Sequence, residues 1–232
     1  MNTRKNQKDF SQDEWNDLID AINQTHGVSA AIPAYRDFVK VHVRAMDMHD
    51  PDGMSWGVHT MGPNMQGRNF LAWHRQLVWQ FEQRLRKIRA SITIPYWDAL
   101  TDRAIPKALN DPKLLKQWSV KRKWNAAELA PKGSEADLYK IRIFTTFQPA
   151  IEGGIHNAVH RAVGGDMVTS ASPSDPIFWL HHADIDRIWA TWQKNFPKQS
   201  PPNKDETLKP TPLFGIKVSD VLDIDALGYT YA

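Results

Sequence analysis

The chain contains no cysteine. That absence excludes disulfides, thiolate metal sites and cysteine nucleophiles, and it leaves imidazole and carboxylate as the side chains able to hold a metal ion. Long apolar runs are missing as well. The uncharged stretch of about 18 apolar residues that a membrane-spanning helix needs occurs nowhere. Residues 1–10 carry positive charge with no apolar segment behind it, so no secretory leader is read, and a cytoplasmic protein without membrane contact is expected. Nor is there a dominant charge of one sign: 29 Lys and Arg stand against 26 Asp and Glu, for a net charge of +3. The two signs are interleaved, as at Glu82, Arg84, Arg86 and Lys87, which argues against a nucleic-acid partner.

What the chain does have is histidine and tryptophan, nine and ten of them. With 41% hydrophobic residues over 232 positions, it is long enough for one globular domain, residues 1–232, with a sizeable core. Most of the tryptophans are expected to fill that core, although aromatic walls around a metal centre would look the same in sequence.

Apolar periodicity predicts mainly helix. Ser11 and Glu14 form a capping box ahead of Trp15, Leu18, Ile19 and Ile22, so a first helix should end before Gly27. A second should start near Pro33 and run to about residue 48, with Tyr35, Phe38, His42 and Met46 on its apolar face. The glycines and prolines of residues 50–68 read as a loop, and residues 70–89 as a long helix bearing His74. Residues 92–97 read as an extended segment kept off a central strand by Pro95, and residues 101–133 as irregular chain with short helical turns. Gly153 and Gly154 should precede a helix carrying His156 and His160 that stops at Gly164. Asp175 and Pro176 should open the last long helix, which runs to about Asn195 and is followed by a proline-rich surface connection.

The histidines sit where these helices can bring them together. Residues four apart share a helix face, so His156 and His160 can point at one ion while His181 or His182 approaches from another helix. Successive residues on a helix diverge by about 100°, so only one of that adjacent pair should ligate. His42 and His74 lie on two further helices. The expected architecture is therefore a four-helix bundle with inward ligands, extensive loops and few short strands. The count suggests two ions with three histidines each. A ligand set poor in carboxylates disfavours magnesium, calcium and di-iron, and an all-imidazole pair favours copper, with zinc or a mixed-metal structural site as the alternative.

The run from His156 to His160, followed by Ser174, Asp175, Pro176, Ile177, Phe178, Trp179, Leu180, His181, His182, Ala183, Asp184, Ile185, Asp186, Arg187, Ile188 and Trp189, resembles the second copper motif of the tyrosinase family. That family comprises coupled binuclear (type 3) copper proteins. The segment from Phe70 to Arg75 looks like the end of the first copper motif, the segment from Thr93 to Asp98 fits, and Gly228, Tyr229, Thr230 and Tyr231 are similar to the closing tyrosine motif. The likeness spans roughly residues 35–231 and is most specific at the second motif. It implies a small bacterial-type member, without a cysteine cross-link to a ligand histidine and without a C-terminal lid domain.

The resemblance implies His156, His160 and His182 on the second copper, with His181 turned away, and His42 and His74 on the first. The family's usual third ligand, nine residues before His74, is replaced here by Met65. His59 from the loop is expected in its place, with His49 as the alternative and His26 an ordinary surface histidine. Met54, Met61 and Met65 are read first as loop packing, with capture of soft copper(I) as the other reading.

Glu152 and Asn157 match the pair that orients a proton-accepting water in the family. On chemistry alone, Glu152 serves equally well as a charge favouring a helix N-terminus. Phe178, Arg161 and Ser170 match positions lining the substrate entrance. Asp186 and Arg187 are expected to form a structural ion pair. The implied activity is o-hydroxylation of monophenols and oxidation of o-diphenols to o-quinones, with two copper ions as cofactors and dioxygen as co-substrate. A small phenol is the expected partner, acting on a monomer or homodimer. The alternatives are a catechol oxidase or o-aminophenol oxidase without monophenolase activity and, from another class, a hemocyanin-like dioxygen carrier.

Overall fold

The computed structural model describes residues 1–26, 34–46, 56–60, 67–211 and 213–232. Pro33, His49, Met54, Met61 and Met65, on which parts of the sequence reading fell, lie outside these residues. The described chain is mainly helical. Its named strands are β1 (Asn2–Arg4) and β2 (Tyr229–Tyr231), paired in parallel with Arg4 opposite Tyr231.

Helix α1 (Gln12–Thr25) begins where the capping box said it would: Glu14 N–H donates to Ser11 Oγ at 3.2 Å, and Ser11 N–H donates to the Glu14 carboxylate at 2.8 Å. Helix α2 (Tyr35–Met46) buries Tyr35, Phe38 and His42, a spacing of three and then four residues that keeps all three on one face. Helix α3 (Phe70–Arg86) packs along α8 (Ile177–Asn195), and both are buried over most of their length. Between them the Phe81 and Trp179 rings stack with centroids 3.9 Å apart. The tryptophans are core residues: Trp73, Trp97, Trp179, Trp189 and Trp192 are almost wholly buried. Several use their indole N–H on a backbone carbonyl, as Trp192 does on Ile141 at 2.6 Å.

Residues 101–133 are irregular with short turns, among them α4 (Pro112–Gln117), followed by α5 (Ser134–Leu138). Residues 92–97 are extended and hydrogen-bond to the N-terminal segment, Gln7 N–H to the Tyr96 carbonyl at 2.8 Å and Tyr96 N–H to the Lys5 carbonyl at 2.9 Å.

Two expectations are corrected. The helix bearing His156 does not start after Gly153 and Gly154. It starts as α6 (Phe144–Ile151), passes through a π-helical turn (Glu152–His156) and continues as α7 (Asn157–Val163), so the glycines lie inside it. Pro149 removes a helical donor and crowds the preceding turn, and Gly154 takes a non-helical conformation (φ −90°, ψ −105°), so the ladder widens by a residue where the first ligand sits. The third bundle element is thus one kinked helix, two short α-helical pieces joined by the π turn.

The second correction concerns Asp186 and Arg187, which do not pair with each other, because neighbours on a helix point apart. Arg187 donates to Asp184 and Glu135, both at 2.8 Å. Asp186 faces inward and receives the Arg75 guanidinium, Arg4 at 3.3 Å, and the Tyr229 and Tyr231 hydroxyls at 2.6 Å each. Arg4, itself fully buried, also donates to Glu82 on α3 at 2.9 Å. Burial alone would raise the Asp186 carboxyl, but Arg75 and Arg4 hold it below the usual carboxylate range. This charged knot ties α3, α8, β1 and β2 together.

Candidate metal centre

Two groups of histidines converge in the middle of the bundle. His42 on α2, His59 on irregular backbone and His74 on α3 form one; His156, His160, His181 and His182 form the other, and within each group one ring nitrogen per residue lies within 4.8 Å of the others. The groups abut. The His74 and His182 rings stack with centroids 4.3 Å apart, and His59 and His156 are 6.1 Å apart. His26 sits apart, stacked on Tyr35 at 4.0 Å with its Nδ1 against the Ile22 carbonyl.

The backbone fixes how these rings present themselves. Nδ1–H of His42 donates to the Ser170 carbonyl at 2.7 Å, that of His74 to Phe70 at 2.8 Å, that of His156 to Glu152 at 3.2 Å and that of His160 to Met167 at 2.5 Å. Each such bond sets the tautomer and leaves the Nε2 lone pair as the free donor, the arrangement metal-ligating histidines use. Nε2 of His42, His59, His74 and His156 is buried with no hydrogen-bond partner, and the Nε2 atoms of His160 and His182 face each other at 3.5 Å. Unmatched buried acceptors are costly, and cations between the rings would satisfy them. Burial pushes the imidazoles of His42, His74, His156 and His182 well below their ordinary value, and neighbouring imidazoles push the same way. His160 is lowered to about 4, chiefly by burial. At neutral pH His42, His74, His156, His160 and His182 are uncharged donors, the form a metal requires. Six imidazoles in two abutting trios therefore fit a pair of metal ions.

His181 departs from expectation. It is not turned away: its ring stacks on His156 at 5.4 Å, and a nitrogen of it falls within the second group. The angular separation of adjacent residues governs their Cβ directions, while the rings extend far enough to meet the same neighbours. His182 remains the better placed of the two, lying between the two groups.

A cavity of about 260 Å³ opens onto both trios, lined among others by His42, His59, His156 and His160. Asn157, Arg161 and Ser170 are among its lining residues, and Arg161 pairs with Glu128 at 3.3 Å at the surface. Phe178 does not reach the entrance. It is fully buried, packed against His182 at 4.1 Å and His42 at 5.2 Å, so it shapes the floor under the rings. Glu152 lines a second cavity together with Thr60 and Gly67 and lies 3.5 Å from His59 Nδ1, accepting hydrogen bonds from Thr60 N–H and Thr60 Oγ1, both at 2.8 Å. It is mid-helix, so the helix-terminus reading of its charge falls away. Sequence reasoning missed Val168, 58% exposed at the cavity mouth, and the backbone carbonyls of Ser170 and Met167, which no side-chain pattern reveals. It also missed Thr60, whose only signal is adjacency to His59.

A helical bundle around paired histidine trios is the architecture of a protein suited to hold two metal ions. The family model for the common central domain of tyrosinase matches residues 33–127 and 109–195, and the chain belongs to that family. A tyrosinase of Streptomyces lincolnensis is 29% identical across 90% of this chain and 92% of its own length, and hemocyanin units G and H of Sepia officinalis are 28% identical across 82% of this chain and 37% of that protein. Among solved structures, a functional unit of octopus hemocyanin superposes with a TM-score of 0.77 at 24% identity, covering all of this chain and 68% of the other, which is a likeness of fold.

Proposed function

We propose that the chain is a copper-dependent phenol oxidase that hydroxylates monophenols at the ortho position and oxidises o-diphenols to o-quinones, with dioxygen reduced to water. The observation that carries this reading is the cavity onto which imidazoles of both trios open, reachable by a single-ring phenol. Family membership and the tyrosinases of Streptomyces along nearly the whole chain support it. His42, His59 and His74 would hold one copper, and His156, His160 and His182 the other. When bound, the copper pair supplies the exchange of electrons between phenol and dioxygen.

The chain's own residues do the rest. Four backbone carbonyls keep the imidazole Nδ1 protons occupied, so the rings enter as neutral donors of fixed orientation. Phe178, Phe70 and Trp73 pack against the rings and exclude water from their inner side. At the mouth, Asn157 offers an amide, Arg161 a cation, and Val168 an apolar edge for the ring. A monophenol must also lose its proton. Glu152 is the proposed acceptor, with Asn157 the partner that orients the transferring water. The carboxylate has acceptor positions beyond the two that Thr60 fills.

Catechol assayed for quinone release separates this reading from a hemocyanin-like dioxygen carrier, which would bind the gas without turnover. Metal analysis should give two coppers per chain, and zinc alone would overturn the assignment. For the hydroxylation step, Glu152→Gln and Asn157→Ala should each lower monophenol turnover by roughly 10²-fold or more while diphenol turnover falls far less. Equal loss on both substrates would remove these residues from proton transfer.

A further inference from the structure

His59 is the one proposed ligand carried on irregular backbone, since His42, His74, His160 and His182 stand on α-helices and His156 on the π turn. It also differs in its anchoring. The Nδ1 atoms of His42, His74, His156 and His160 meet backbone carbonyls, whereas that of His59 lies 3.5 Å from the Glu152 carboxylate. That carboxylate is gripped from the other side by the residue after His59: Thr60 N–H reaches Oε1 and Thr60 Oγ1 reaches Oε2, both at 2.8 Å. The same hydroxyl accepts from Gly67 N–H at 3.0 Å. The arrangement is closely fitted, for a Cβ on Gly67 would come within 2.8 Å of Glu152 Oε2 and 2.9 Å of Thr60 N.

We infer that Thr60 is a positioning residue for the first metal site: its hydroxyl and backbone N–H strap the His59 segment to Glu152 and thereby set how tightly that site holds copper. The inference rests on the reading of His59 as a ligand. A histidine on irregular chain must be ordered before it can bind, and a strap that orders it beforehand raises the affinity of the site without touching the ion. Glu152 suits the task because its backbone is already fixed by the helix whose His156 donates to the Glu152 carbonyl. The strap therefore refers the loop-borne ligand to the framework of the second trio, across 92 residues of sequence.

The test is chelator competition on the copper-loaded protein, with bound metal counted per chain and copper(II) followed by electron paramagnetic resonance. Thr60→Val removes the hydroxyl and keeps the shape. One copper should then be released at a chelator concentration roughly 10- to 100-fold lower, the usual effect of losing an outer-shell partner, while the other is released as in the wild type. Thr60→Ser should restore the wild-type curve. Gly67→Ala, which crowds the strap from the other side, should reproduce the Thr60→Val result and supplies a second perturbation should Thr60→Val fail to fold. Wild-type release from both variants, or equal weakening of both coppers, would overturn the inference. His59→Ala separates the two readings. If it still binds two coppers as tightly as the wild type, the ligand assignment fails; if it binds one while Thr60→Val behaves as wild type, only the strap fails.

Discussion

The two halves of the metal centre are built by different means. The second trio comes from one kinked helix and from α8, and its rings are aimed by spacing along those helices and by carbonyls a few residues away, as His156 is by Glu152 and His160 by Met167. The first trio is assembled from three separate segments, and two of its members lean on something remote, His42 on the Ser170 carbonyl and His59 on Glu152, while His74 is aimed by the Phe70 carbonyl on its own helix. A site made from one helical repeat is specified locally. One gathered from three places depends on long-range contacts, and its affinity is correspondingly exposed to substitutions far from the ion.

The largest effect that would sharpen this comparison is loss of a helix-borne ligand. His156→Ala should leave one copper per chain and reduce quinone formation to background, because both metals are needed for a two-electron exchange; retained turnover would break the paired-site reading.

Next is the brace between α3 and α8. Asp186→Asn or Arg75→Met strands buried charge and should destabilise the fold by about 3–5 kcal/mol in denaturant unfolding. A change confined to copper affinity would show that the knot serves one half only.

Acid tests the imidazoles themselves. In metal-free protein His42, His74, His156 and His182 protonate only well below the unfolded value near 6.5, and His160 at about 4, so over that interval the unfolded chain binds more protons than the native one. Stability should therefore be fully present above about pH 6.5 and fall as pH drops toward 4, by up to roughly 1.4 kcal/mol per pH unit for each such histidine, read as the denaturation midpoint along a pH series. Stability that stays flat over that range would mean the rings titrate in the folded protein as they do in the unfolded chain. Copper should be lost in the same direction, as protons compete for Nε2.

The smallest effect is expected at the mouth. Val168→Ala and Arg161→Ala should shift stability by no more than about 0.5 kcal/mol, being exposed, while changing KM for phenols more than kcat. A fall in kcat alone would place these residues nearer the chemistry than the cavity does.

Much of this was legible in the sequence for reasons of local geometry. The spacing of His156 and His160, the capping box at Ser11, the apolar stripe that includes His42 and the close of α8 near Asn195 follow from helical periodicity, which acts between residues three or four apart. The imidazole character of the candidate ligands follows from an absence, since without cysteine the histidines are left to serve. Tertiary structure alone decided the rest. It moved Gly153 and Gly154 from a helix start into a π turn, broke the expected union of Asp186 with Arg187, brought His181 back beside the second trio, sank Phe178 below the entrance, and set Thr60 against Glu152. Most of these depend on partners distant in sequence, Arg4 and Asp186 being 182 residues apart. Periodicity tells which way a side chain leaves its own helix; only the packed chain decides what it meets there.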